Sequence, residues 1–144
     1  MSLPFHKLVV WQRADDLFIE IHHLTLQRFP REERFELGSQ LRRSAYSVPA
    51  NVVEGSARES PRERLRFFNI ASSSLSEAGY GLHAARRLGY IDESIYVELE
   101  TRVRRVAAPL NGLIRSTKRK AAVKKAVLAS SVALFVAQLL HWIS

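Results

Sequence analysis

The 144-residue chain has no cysteine, one methionine, six glycines and five prolines. Without cysteine there are no disulfides, no thiolate nucleophile and no thiolate-ligated zinc or iron–sulfur centre. This absence fits a cytoplasmic protein. Few glycines and prolines, together with a 47% hydrophobic content, exclude a loop-rich or disordered chain and point to one globular domain with a real core. No run alternates polar and apolar residues as a half-buried strand would. The opening MSLPFHKLVVWQRADD has no basic segment followed by an uninterrupted apolar one, so it does not read as a secretory signal. Five histidines are scattered, none with another histidine or an acid at the i,i+4 spacing of a helical metal site, and no glycine-rich phosphate loop is present. The sequence therefore carries no expectation of a metal, a cofactor or an enzyme.

Charge of one sign dominates what is there. The net charge is +8, and 17 of the 22 cations are arginine. Half of the excess lies after residue 118, where Arg119, Lys120, Lys124 and Lys125 meet no acid. Arginine forks match phosphates and carboxylates, so a polyanionic partner fits; so does a solvated helical surface laced with ion pairs. The residues for contact with a nucleic acid are Arg42 and Arg43, the ladder Arg58, Arg62 and Arg66, the pair Arg86 and Arg87, and Arg102, Arg104 and Arg105. Glu59, Glu63, Glu98 and Glu100 stand close enough in sequence to neutralise part of this set. Few aromatics interleave with the cations, which argues against a platform for stacking single-stranded bases.

Apolar periodicity predicts four amphipathic helices. The first spans 7–28, with Val10, Ala14, Leu17, Phe18, Ile21, Leu24 and Thr25 on one stripe, and ends at Phe29-Pro30. The second spans 32–57, with Phe35, Leu37, Leu41, Ala45, Val48 and Val52 inward and a kink expected at Pro49. Gly55 is suited to closing it. Ser60-Pro61-Arg62-Glu63 reads as a capping box for the third, which runs to Leu88 with Gly89 as its C-cap. The small residues in its middle, Ser72 to Gly81, suit close helix packing. Asp92 caps the fourth, which carries Ile95, Leu99, Val103, Val106, Leu110, Leu113 and Ile114 inward and a kink expected at Pro109. Short connections imply an antiparallel up-down bundle.

The stretches LVVWQRADDL, FELGSQLRRSAYSVPANVVEGSAR, FFNIASSSLSEAGYGL and LGYID resemble the four-helix-bundle family named for intervening sequences in large-subunit ribosomal RNA. The resemblance covers about residues 5–118. It implies an all-α, left-handed four-helix bundle assembling as a homo-oligomer, a ring-like pentamer, with a role connected to RNA. It also places Arg43, Asn51, Glu54, Gly55 and Glu77 at the family's characteristic polar positions. Two readings of the cluster Arg43, Asn51, Glu54 and Glu77 follow. It pins the proline-bearing helix against the third, or it contacts a ligand or RNA. Glu54 and Glu77 as an acid–base pair is a third.

The expected domains are the bundle, 1–118, and a segment 119–144 made of a basic linker and an extra C-terminal helix. AVLASSVALFVAQLLHWI, residues 126–143, has 18 residues without a charge and follows KRKAAVKK. That length is near the minimum for a membrane span, with a basic flank and Trp142 at an interface position. Ser130, Ser131, Gln138 and His141 gather on one side of its helical wheel, and Leu128, Val132, Phe135, Val136, Leu139 and Ile143 on the other. The segment is therefore membrane-associated, packed in an oligomer, or disordered. The functional expectation is a non-enzymatic oligomeric module docking on RNA or a ribonucleoprotein through arginines. The alternative is a structural or membrane-tethered scaffold that recruits a protein partner.

Overall fold

The computed structural model describes residues 4–143, and the side chain of Ile143 is outside the description, as are residues 1–3 and Ser144 of the expected domains. A single turn of 3-10 helix, Pro4–Lys7, precedes α1 (Val9–Arg28), α2 (Leu37–Ser56), α3 (Pro61–Arg87) and α4 (Glu93–Ile143). The described residues are all helical or connecting; no strand occurs among them. Each helix packs on its sequence neighbours and α1 closes the set against α4, leaving α1–α3 and α2–α4 as diagonals.

The inward stripes meet in one core. Leu17, Ile21, Leu41, Val48, Val52, Leu82, Leu99, Val106 and Leu110 are essentially inaccessible to solvent. Phe18, Leu24, Leu65, Ile95, Val103 and Leu113 flank it, half-buried. The small residues of α3 serve packing: Ala71, Ser74, Ala78, Gly81 and Ala85 are buried. The Asp92 carboxylate accepts the Ile95 N–H at 2.9 Å, as a helix start requires. Gly89 sits at φ +76°, and bonds from Gly89 N to Arg86 O and Tyr90 N to Ala85 O close α3 as a Schellman motif.

Four expectations are corrected. Residues 31–36 form turns, so α2 begins at Leu37 rather than near Glu32, and Phe35 is 76% exposed. Arg42 Nη2 donates to Arg34 O, the acceptor Gly38 N would use in a helix, and Gly38 N bonds to Glu33 O instead, while Arg34 Nε holds the turn by donating to Phe29 O. Ser60 makes no side-chain capping hydrogen bond, so the capping box is not formed. Gly55 lies inside α2 and is buried rather than closing it. Finally, there is no separate fifth helix. The basic stretch 119–125, read as a linker, is helical, and α4 runs unbroken for 51 residues through Pro109. Arg, Lys and Ala are strong helix formers, and no breaker stands among those seven residues.

Candidate functional site

Pro49 has no N–H to give Ala45, yet α2 continues through it to Ser56. Two residues after Pro49, Asn51 Nδ2 donates to Ser47 O at 2.7 Å and lies 3.0 Å from Ser47 Oγ. Ser74 of α3 completes the chain by donating its hydroxyl to Ser47 Oγ at 2.8 Å. The polar seam between α2 and α3 is therefore Asn51–Ser47–Ser74. Of the expected cluster, only Asn51 belongs to it. Glu54 pairs with Arg58 one turn along. Arg43 and Glu77 are exposed and form no ion pair among the described residues. Sequence reasoning did not single out Ser47 and Ser74 as a pair, because their meeting is set by the register of two helices.

Gly55 explains how α3 approaches α2 beyond this seam. A Cβ there would stand 2.6 Å from Phe68 Cε1 and 2.8 Å from Phe68 Cδ1. The bare backbone face is what the Phe68 ring packs on. Arg58 reaches over the neighbouring Phe67 ring at 5.1 Å, and Arg66 approaches the same ring at 5.8 Å.

The ten candidate arginines divide. Arg42 is an internal strut, donating to Thr25 Oγ1 at 2.9 Å and to Arg34 O at 2.8 Å. Arg58, Arg86, Arg102 and Arg104 pair with Glu54, Glu93, Glu98 and Glu100 respectively. Arg86 also lies over Tyr96 at 4.3 Å. Arg102 reaches across to Glu20 on α1, Nε to Oε2 at 2.9 Å, without the alignment of a hydrogen bond. Burial pushes the Glu20 carboxyl above its ordinary value; the Arg102 charge opposes that, and Glu98 and Asp16 reinforce it. Arg102 is itself held protonated more firmly, first by its hydrogen bond to Glu98.

Arg43, Arg62, Arg66, Arg87 and Arg105 are the candidates exposed without an acid partner among the described residues. Arg62 and Arg87 stand at opposite ends of α3, about 37 Å apart at 1.5 Å per residue. The set is therefore spread along the bundle and not gathered in one compact patch. Among the described residues no group of three or more His, Asp or Glu side chains could hold a metal ion.

The longest unbroken run of exposed residues among those described is the distal part of α4. Among its described side chains Thr117 is the last buried one, and every residue from Ala122 to Trp142 is exposed. Leu134 is 67% and Trp142 91% exposed. An 18-residue window of this helix has a mean hydropathy of 1.6, long and apolar enough to cross a membrane. Its serines are internally satisfied. Ser130 Oγ donates to Ala126 O at 3.1 Å and Ser131 Oγ to Val127 O at 2.9 Å. Val127 and Leu134 lie within the arc that holds the polar residues, so the segment is apolar around most of its circumference.

Residues 6–112 match a family model described as 23S rRNA-intervening sequence protein. A crystal structure of a protein of unknown function from the S23 ribosomal protein family of Bacteroides thetaiotaomicron VPI-5482 is similar in fold. Its TM-score is 0.69 at 24% identity, over 74% of this chain and 98% of that one. No curated protein matches the chain.

Proposed function

The chain belongs to the 23S rRNA-intervening sequence protein family, and from that premise we propose that it is a membrane-tethered, non-enzymatic helical scaffold. The single observation that carries this reading is the fully exposed apolar course of α4 from Ala126 to Trp142. A helix of that length spans about 26 Å at 1.5 Å per residue, close to a hydrocarbon core of about 30 Å. In water the same surface carries a large transfer penalty, about 25 cal/mol for each Å² of apolar area. The self-bonded serines reduce the polar cost of leaving water. The basic run Lys118–Lys125 on the bundle side supports a cytoplasmic bundle in this reading, by the positive-inside rule. In this reading the bundle is antiparallel and left-handed, assembles with copies of itself as a pentamer, and presents its surface to a partner protein.

A second reading, docking on RNA, is favoured by the family's ribosomal RNA description and by the five candidate arginines exposed without an acid partner among the described residues. The salt dependence of RNA binding separates the two. Several phosphates neutralised together give a steep linear fall of log K with log salt. The tether predicts that full-length protein floats with vesicles and resists alkaline extraction. Protein that remains in the aqueous fraction, while binding RNA with that steep slope, would replace the first reading by the second.

A further inference from the structure

Where α4 leaves the bundle, it runs beside the first turns of α3 and encloses a groove of about 650 Å³. Its floor is apolar: Pro61, Leu65, Ala121 and Leu128 line it. Its rim carries Arg62, Lys124 and Lys125 and no acid. None of these three cations forms an ion pair among the described residues. Arg62 comes from a different helix, some sixty positions before the two lysines, so the cationic rim is assembled by the fold and is not a property of the basic run alone. Leu128 already belongs to the exposed apolar segment, which makes the groove continuous with the surface assigned above to the bilayer. The positive end of the α3 dipole, with no side-chain cap from Ser60, adds to the same field.

We propose that this groove binds an anionic phospholipid. Its phosphate is held by Arg62, Lys124 and Lys125, and its acyl chain lies along Leu65 and Leu128. The proposal rests on the membrane reading and deepens it. Charge complementarity selects the headgroup, because three unpaired cations around one apolar trough match a phosphate attached to a hydrocarbon chain. A neutral zwitterionic headgroup would bring its own cation into the rim. The volume is in the range of small-molecule sites, about 300–1,000 Å³, and suits a headgroup with the upper part of one chain.

The test uses full-length protein in mild detergent, titrated with phosphatidylglycerol, phosphatidylcholine or inorganic phosphate. Thermal unfolding of the bundle and lipid retained by mass spectrometry are the readouts. Phosphatidylglycerol raises the unfolding midpoint saturably and is retained; phosphatidylcholine and phosphate do neither. The triple variant Arg62→Gln, Lys124→Gln, Lys125→Gln weakens this binding roughly 10- to 100-fold, since each surface cation near an anionic headgroup contributes appreciably. A control removing equal charge from α4 outside the groove, Arg115→Gln, Lys118→Gln, Arg119→Gln, keeps it within about threefold. Equal losses in both variants would reduce the effect to a diffuse basic field and overturn the site. A shift reproduced by phosphate alone would make it an anion site, not a lipid site. Vesicle flotation of the same preparations keeps the two claims apart. Protein that floats without lipid preference contradicts the groove, and protein that binds phosphatidylglycerol in detergent without floating contradicts the tether.

Discussion

An alanine at residue 55 would place its Cβ 2.6 Å from the Phe68 ring, a separation that forces ring or backbone to move. Helix propensity favours alanine over glycine by up to about 1 kcal/mol, while forcing an extra methyl into a packed core costs about 1–3 kcal/mol. The clash wins, and Gly55→Ala is expected to lower stability by about 1 kcal/mol in denaturant unfolding; unchanged or raised stability would mean that Phe68 yields freely. Glu20 makes a prediction of opposite sign. Burial disfavours its carboxylate more than Arg102 favours it, so its folded pKa is raised from 4.5. Its contribution to stability is complete below about pH 4.5 and is lost as pH rises through the raised folded value. Glu20→Gln should therefore be neutral to stabilising at pH 7, with the advantage fading toward pH 4. A marked loss at pH 7 would show that the Arg102 attraction outweighs burial. Neither effect was legible in the sequence. Gly55 read as a helix end because its conformational freedom is visible there and its close neighbour is not. Arg42 read as a phosphate contact because nothing local shows that Thr25 Oγ1 and Arg34 O already occupy its fork.

Helices α1 to α4 follow chiefly from apolar spacing, with Gly89 and Asp92 the caps that formed as read, and their buried stripes were legible nearly residue by residue. Period 3.6 survives wherever one face meets a core, which is why Val10, Leu41, Leu99 and Val106 are buried as the sequence predicts. Phe35 fails because the turn at 31–36 is decided by the Arg34 and Arg42 side chains, not by periodicity. The seam between α2 and α3 is also tertiary. Ser74 donates to Ser47, which in turn stands beside Asn51. Ser74→Ala should destabilise by about 1 kcal/mol, the net worth of a hydrogen bond of this kind. Combining it with Ser47→Ala should add less than the sum, because both substitutions remove the same contact. Strict additivity in the double variant would show that the two hydroxyls do not interact. The fusion of the expected linker and extra helix into α4 has a similar origin: propensity along RKAAVKK permits a helix, and only the helix already running through residue 118 makes it continue.

At the scale of the molecule, the packed bundle ends at Thr117 and its last helix continues for about 38 Å beyond it at 1.5 Å per residue. The family match stops at residue 112, so the bundle and the exposed helix rest on different kinds of support. Bundle identity was legible from the QLRRSAYSVPANVVEG block and its companions. The fate of the apolar segment was not, because composition alone does not separate a span from a packed helix. Its complete exposure in the single chain is the observation that supports the proposed tether. The most direct measurement is flotation of full-length protein with vesicles, followed by alkaline carbonate extraction, beside the variant Val132→Lys, Leu139→Lys. Lysine at those positions keeps helix propensity and costs a membrane-centred helix about 2.5–3.5 kcal/mol each. The tether predicts that the wild type floats and resists extraction while the variant is released as a folded bundle. Wild-type protein extracted as readily as the variant would contradict it.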